Sequence, residues 1–241
     1  MPGFDRARGF PGPSDDLPRL PVATWGPLVF ASLGGAAPFA DWTAGLERRM
    51  AWFPKGELRF DPARSREYDV AANWALYCDN YLEGFHLPYV HTRLAAAIDY
   101  SQYTTELHRW SSLQLGVAAG SEEVFDLPPG HRDFGRRVAV YWFWLFPNLM
   151  LNIYPWGVSV NVIKPLAVDR TKVSFLNYPW DPAQVATSAG NSIDRVERED
   201  EAVVEAVQRG VRSRIYRRGR YSPRRETGVH HFHRLMAEAL A

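Results

Sequence analysis

The chain has 241 residues, 46% of them hydrophobic and 23% charged, with a net charge of +1. That composition is ordinary for a folded domain with a sizeable core, and the near-zero charge gives no general pull toward nucleic acid or an anionic membrane. One cysteine, Cys78, excludes a disulfide framework and makes a cytoplasmic location the default expectation. No stretch approaches the roughly 18 apolar residues that span a bilayer, and the N-terminus has no apolar signal core.

Residues 1–20 are rich in Pro, Gly and Asp and read as loop. The rest, 21–241, reads as one domain. Residues 22–33 are β-rich and break at Gly26-Pro27, giving a strand pair or one bent strand. Residues 39–49 place Trp42 and Leu46 at helical spacing, and 57–70 alternate loosely as a strand. Asn73 is an N-cap candidate. From it, Trp74, Tyr77, Cys78, Tyr81 and Phe85 form one buried helical stripe, with Asp79, Glu83 and His86 on another face. Pro88 disfavours continuation, so His91 falls just past the helix end, where the chain can swing it back toward His86.

Residues 103–118 are β-like. Segments 138–146, 149–154, 158–164 and 172–180 are apolar runs separated by turn residues, the pattern of an antiparallel meander. A long helix is expected from about Pro182 to Arg217, then a basic loop and a final helix from His230. The fold class is therefore α+β, a twisted antiparallel sheet gripping a long C-terminal helix.

Two histidines on a polar face are more often hydrogen-bonded than metal-bound, and a third ligand shifts that balance. The apolar residues of the long helix, Val196, Val203, Val204, Val207 and Val211, form a stripe at 100° per residue. Asp200 projects near its middle, Glu197 and Glu199 lie on its flanks, and Glu201 and Glu205 point away. A carboxylate among valines needs a partner, either an arginine or amide or a metal. Two His and one carboxylate are a common iron(II) set.

The segment NWALYCDNYLEGFHLPYVH, with Asn80, Glu83, His86 and His91, resembles the iron-site segment of Rieske-type non-haem iron oxygenase large (alpha) subunits, the family of the aromatic-ring-hydroxylating dioxygenases. The segment EDEAVVEAVQRGVRSRIYRRGRYSPRRETGVHHFH resembles that family's C-terminal helix, particularly in the branch with quaternary-ammonium monooxygenases. The resemblance implies a helix-grip (START/Bet v 1-like) fold and O2-dependent hydroxylation of an aromatic or quaternary-ammonium-like substrate. It implies Fe(2+) held by His86, His91 and Asp200. Glu83 would be the carboxylate bridging to a Rieske cluster of a neighbouring subunit in a homotrimer, and Asn80 a residue near the iron. The family's [2Fe–2S] cluster needs two Cys and two His, and this sequence lacks that set. Residues 1–20 resemble the stretch that follows a Rieske domain. The expectation is a catalytic domain fed by a separate Rieske protein or missing segment and a flavin or ferredoxin reductase.

Other features read differently. His230, His231 and His233 lie on an amphipathic helix packed through Phe232, Leu235, Met236 and Leu240. His108 and His131 lie in strand and loop contexts and read as structural or exposed. The basic run Arg212 to Arg225 reads as a solvated or subunit-contact surface. Two alternatives stay open: a passive helix-grip binding module or inactive fragment, and a zinc hydrolase using the same three ligands.

Overall fold

In the computed structural model, which describes residues 2–34, 37–180 and 193–241, the apolar runs of the second half join three earlier strands in one sheet. Its seven antiparallel strands are β3 (Asp61–Val70), β4 (Thr104–Leu107), β5 (Ser111–Val117), β6 (Val138–Leu145), β7 (Leu149–Tyr154), β8 (Gly157–Ala167) and β9 (Arg170–Pro179). They run in the order β3-β9-β8-β7-β6-β5-β4. Strands β4 to β9 are thus a sequential meander, and β3 closes the far edge against β9. A separate hairpin, β1 (Val22–Trp25) and β2 (Leu28–Ala31), turns at Gly26. Gly26 has φ +54 and a Cβ there would fall 2.5 Å from the Lys55 carbonyl, so glycine suits this turn on both counts.

Both faces of the sheet are covered. On β6, Tyr141, Phe143 and Leu145 join a core with Trp25, Leu46, Met50 and Phe53 from the N-terminal segments. Trp144, of the opposite parity, packs with Tyr77, Cys78, Leu82, Val204 and Phe232. Strand alternation sends neighbours to opposite faces, so a strand buried twice reads as a continuous apolar run. On the second face lie α3 (Trp74–Tyr81), α6 (Ile193–Val211) and α7 (Thr227–Leu240). The N-terminal face carries α1 (Phe39–Trp42) and α2 (Ala44–Met50), so the expected single helix over 39–49 is two short ones. This is the helix-grip arrangement.

Asn73 caps α3 as expected, its side chain accepting the Ala75 N–H at 3.0 Å. The helix stops at Tyr81, so the stripe does not extend to Phe85, which is 50% exposed. Pro88 does not end a helix either. It sits in the first turn of α4 (Leu87–Val90), where its missing N–H is not needed. A further short helix, α5 (Thr92–Ala97), follows. The expected long-helix start at Pro182 lies outside the described residues, and α6 ends at Val211 rather than Arg217. Of its valines, Val204 is buried while Val207 is exposed. Glu205 and Gln208 of α6 accept the backbone N–H groups of Ala71 and Asn73, at 2.9 and 2.8 Å, fixing the late helix to the start of α3.

Candidate metal centre

The two histidines are delivered by short-range chain geometry. His86 precedes the first turn of α4, and His91 closes that turn with φ −106 and ψ 74. The turn brings the imidazole centroids to 5.0 Å. Gly84 allows this loop to lie on the sheet side, because a Cβ there would fall 2.5 Å from the Tyr103 ring.

Asp200 arrives from α6. Its Oδ1 lies 2.9 Å from His91 Nε2 and 3.5 Å from His86 Nε2. Asn80 Nδ2 donates to the same oxygen at 2.6 Å, so Asn80 orients the carboxylate. One ligand atom from each of His86, His91 and Asp200 can be chosen so that all lie within 4.8 Å of one another, the one such triad among the described residues.

The opposite ring nitrogens are each held by a carboxylate. His86 Nδ1 lies 2.6 Å from Glu83 Oε1, and His91 Nδ1 lies 2.9 Å from Glu199 Oε2. Glu83 Oε2 also accepts the backbone N–H groups of Phe85 and His86, which locks its own orientation. A proton on Nδ1 of each ring leaves both Nε2 lone pairs facing Asp200. That is the tautomer a metal needs, with carboxylates behind the ligating imidazoles. His91 is 1% exposed and flanked by two carboxylates. Burial works against its charge, but hydrogen bonds and attraction from Asp200 and Glu199 overcome this and raise its pKa. A buried imidazole pressed between two carboxylates requires a proton or a metal cation in the gap, so the donor set fits a divalent metal.

The triad opens on a cavity of about 120 Å³ whose walls include Tyr77, Tyr81, Tyr103, Trp142, Tyr154 and Glu197. Hydrogen bonds fix several walls. The Tyr81 hydroxyl donates to Phe143 O or Asn152 Oδ1, at 3.1 and 3.0 Å, and the Tyr103 hydroxyl donates to Gln114. Tyr154 stacks on Trp156 at 5.2 Å. Burial pushes the phenols of Tyr77, Tyr81 and Tyr103 well above their ordinary pKa, so they stay neutral.

Asp79 pairs with His233 Nε2 at 2.9 Å, and the Tyr221 hydroxyl meets His233 Nδ1. His131 Nε2 reaches the Arg49 carbonyl at 3.0 Å. Burial lowers the pKa of His108 and of His231. In the basic run, Arg212 pairs with Asp169 at 2.7 Å and Arg225 lies over the Tyr100 ring at 4.2 Å. No helix among the described residues is long and apolar enough to cross a membrane.

The chain belongs to the ring hydroxylating alpha subunit (catalytic domain) family, whose model matches residues 58–241. It is 38% identical to a chloroplastic choline monooxygenase of Arabidopsis thaliana, over 91% of this chain and 54% of that protein. It is 33% identical to the carnitine monooxygenase oxygenase subunit of Escherichia coli, over 69% of this chain and 46% of that protein. A quaternary ammonium Rieske monooxygenase, CntA, solved with an inhibitor, superposes with a TM-score of 0.74 at 26% identity, over 91% of this chain and 61% of that one. Naphthalene 1,2-dioxygenase from Rhodococcus, at 16% identity and a TM-score of 0.67 over 99% of this chain and 70% of that one, shares the fold. The chain spans about half the length of the curated relatives it matches.

Proposed function

We propose that this chain is the catalytic part of an O2-dependent monooxygenase for a quaternary ammonium compound. In this reading His86, His91 and Asp200 hold a mononuclear iron(II). Electrons come from a Rieske [2Fe–2S] centre, whose ligand set this sequence does not contain, supplied in turn by a reductase; a homotrimer would bring neighbouring subunits together. The single observation that carries the reading is the buried His91, with Nδ1 at Glu199 and Nε2 at Asp200. When bound, the iron supplies a site for reductive O2 activation and hydroxylation of a substrate C–H bond.

The chain's own residues do the rest. Glu83 and Glu199 orient the two imidazoles, and Asn80 orients Asp200. Glu83 borders both the aromatic cavity and a second hollow lined by Asp79, Tyr221 and His233, and is the group we assign to face the electron donor. The aromatic walls exclude water and present ring faces, which attract a cation that has no N–H to donate. This favours a quaternary ammonium over an aromatic hydrocarbon, in keeping with the choline and carnitine activities of the named relatives.

The test is metal loading followed by turnover. Anaerobic reconstitution should give about one iron per chain, lost in Asp200→Ala with the fold intact by circular dichroism. A folded chain that takes up no iron overturns the reading. With a Rieske protein, a reductase and choline or carnitine added, labelled O2 should appear in the product. Zinc uptake with ester or amide hydrolysis in its place would make the protein a hydrolase.

A further inference from the structure

Four amide side chains line the cavity among the described residues: Asn80, Gln114, Asn152 and Asn161. The last three stand on the sheet. Gln114 of β5 lies opposite Trp142, which lies opposite Asn152 on β7, which lies opposite Ser159 on β8. Facing residues share a side of the sheet, and Asn161, two positions after Ser159, shares it too. A buried amide without a partner is costly, so each should find one. Asn80 Nδ2 donates to Asp200 at 2.6 Å, Gln114 Nε2 to the Tyr81 carbonyl at 2.6 Å, and Asn152 Nδ2 to the Ser159 carbonyl at 3.4 Å. Asn161 is the exception. Its Oδ1 accepts from the Ser159 hydroxyl at 3.2 Å, while its Nδ2 meets no acceptor among the described residues. Asn161 is only 3% exposed, so this N–H donor faces the cavity rather than bulk solvent.

We propose that Asn161 is a specificity-determining residue that donates a hydrogen bond to the hydroxyl oxygen of a quaternary ammonium alcohol. The proposal rests on the quaternary ammonium reading above. A trimethylammonium group has no N–H and is nearly round, so ring faces hold it without fixing where the rest of the molecule points. A directed hydrogen bond at a second point does fix it, the role of the few polar groups in a mostly apolar pocket. The donor stands on β8, whereas the triad comes from the turn at residues 86–91 and from α6, so the two act on a ligand from different elements. An uncharged amide suits an uncharged hydroxyl. A carboxylate would have to shed its water for a neutral donor, and no lysine or arginine is among the described residues that line the cavity.

The experiment is calorimetric binding of three ligands to the full chain: choline, ethyltrimethylammonium (choline with hydrogen in place of its hydroxyl) and γ-butyrobetaine (a carboxylate and no hydroxyl). Wild type is compared with Asn161→Leu, which keeps a similar shape and removes the donor, and iron uptake is measured for each. The expected result is a loss of about fivefold in choline affinity for Asn161→Leu. The affinity for ethyltrimethylammonium and the iron uptake stay unchanged. Equal losses for choline and ethyltrimethylammonium, or no loss for choline, overturn the proposal and leave the quaternary ammonium reading standing; the amide would then serve a water or the packing. A loss for γ-butyrobetaine that exceeds the loss for choline makes the bound oxygen a carboxylate and overturns the hydroxyl assignment. A wild-type chain that binds none of the three overturns the quaternary ammonium reading and this proposal with it. Should Asn161→Leu not fold, Asn161→Ala takes its place: a loss for choline that ethyltrimethylammonium does not share supports the proposal, and an equal or absent loss overturns it.

Discussion

Each imidazole of the proposed metal centre is gripped from behind by a carboxylate, and the two grips are built differently. Glu83 lies three residues from His86 and is itself locked by two backbone N–H groups. Glu199 reaches His91 across 108 residues and is 29% exposed. Removing Glu199 should therefore release the His91 ring while leaving its ligand nitrogen chemically intact. Glu199→Ala is expected to weaken iron(II) or cobalt(II) binding by about 10- to 100-fold, read by chelator competition. Unchanged affinity would show that packing alone orients His91. At this scale His86, His91 and Asp200 are legible in the sequence, because spacing and helical phase are properties of the chain itself. Helical phase places Glu199 only on a flank of the valine stripe. Whether a flank meets a histidine depends on how residues 87–91 fold back, which no periodicity encodes. Phe85 misleads for a related reason: α3 ends at Tyr81, and Leu82 begins the turn that Gly84 completes against Tyr103.

Between elements, two ionic contacts hold parts that the hydrophobic pattern leaves free to slide. Asp133, in the loop before β6, is 2% exposed and meets Arg49 of α2 and the Tyr141 hydroxyl. Burial disfavours its charge, but the Arg49 guanidinium outweighs this and holds its carboxyl below the usual range. Asp133→Ala leaves a buried guanidinium short of one partner. It should cost roughly 3–5 kcal/mol in urea unfolding; a cost under about 1 kcal/mol would mean that Glu106 compensates. The second contact joins α7 to α3 through His233 and Asp79. The Asp79 hydrogen bond and charge raise the His233 pKa against partial burial. Its contribution is then full below the ordinary imidazole value of ~6.5 and fades as pH rises through the raised one. The Tm difference between wild type and His233→Gln should shrink from pH 6 to pH 9, by about the small amount an exposed pair allows. A difference that grows with pH would contradict this. The meander strands are legible at this scale, since turn residues punctuate them. The split of residues 39–49 and the start of α4 at Leu87 are not, because caps within a few residues compete too closely for propensity to decide.

On the scale of the whole molecule, the sheet is a partition. One face packs the N-terminal segments and the other holds α3, α6 and α7. The run from Val138 to Leu145 announces burial but not its two-sidedness, and only Trp142 among its aromatics lines the cavity. The proposed metal centre lies between the turn at residues 86–91 and α6, so it borrows rigidity from a sheet that supplies none of its proposed ligands.

That placement sets an order of events at the ribosome. His91 is separated from Asp200 by 109 residues, nearly half the chain. At bacterial-like synthesis rates the imidazoles emerge on the order of ten seconds before the carboxylate that completes their set. Through that interval the nascent chain offers a pair of histidines, a weaker and less selective lure for stray zinc or copper than the finished triad. Docking of α6 against α3 is then the moment at which the proposed centre becomes able to choose its metal, so that metal identity is settled after the rest of the sheet has been made.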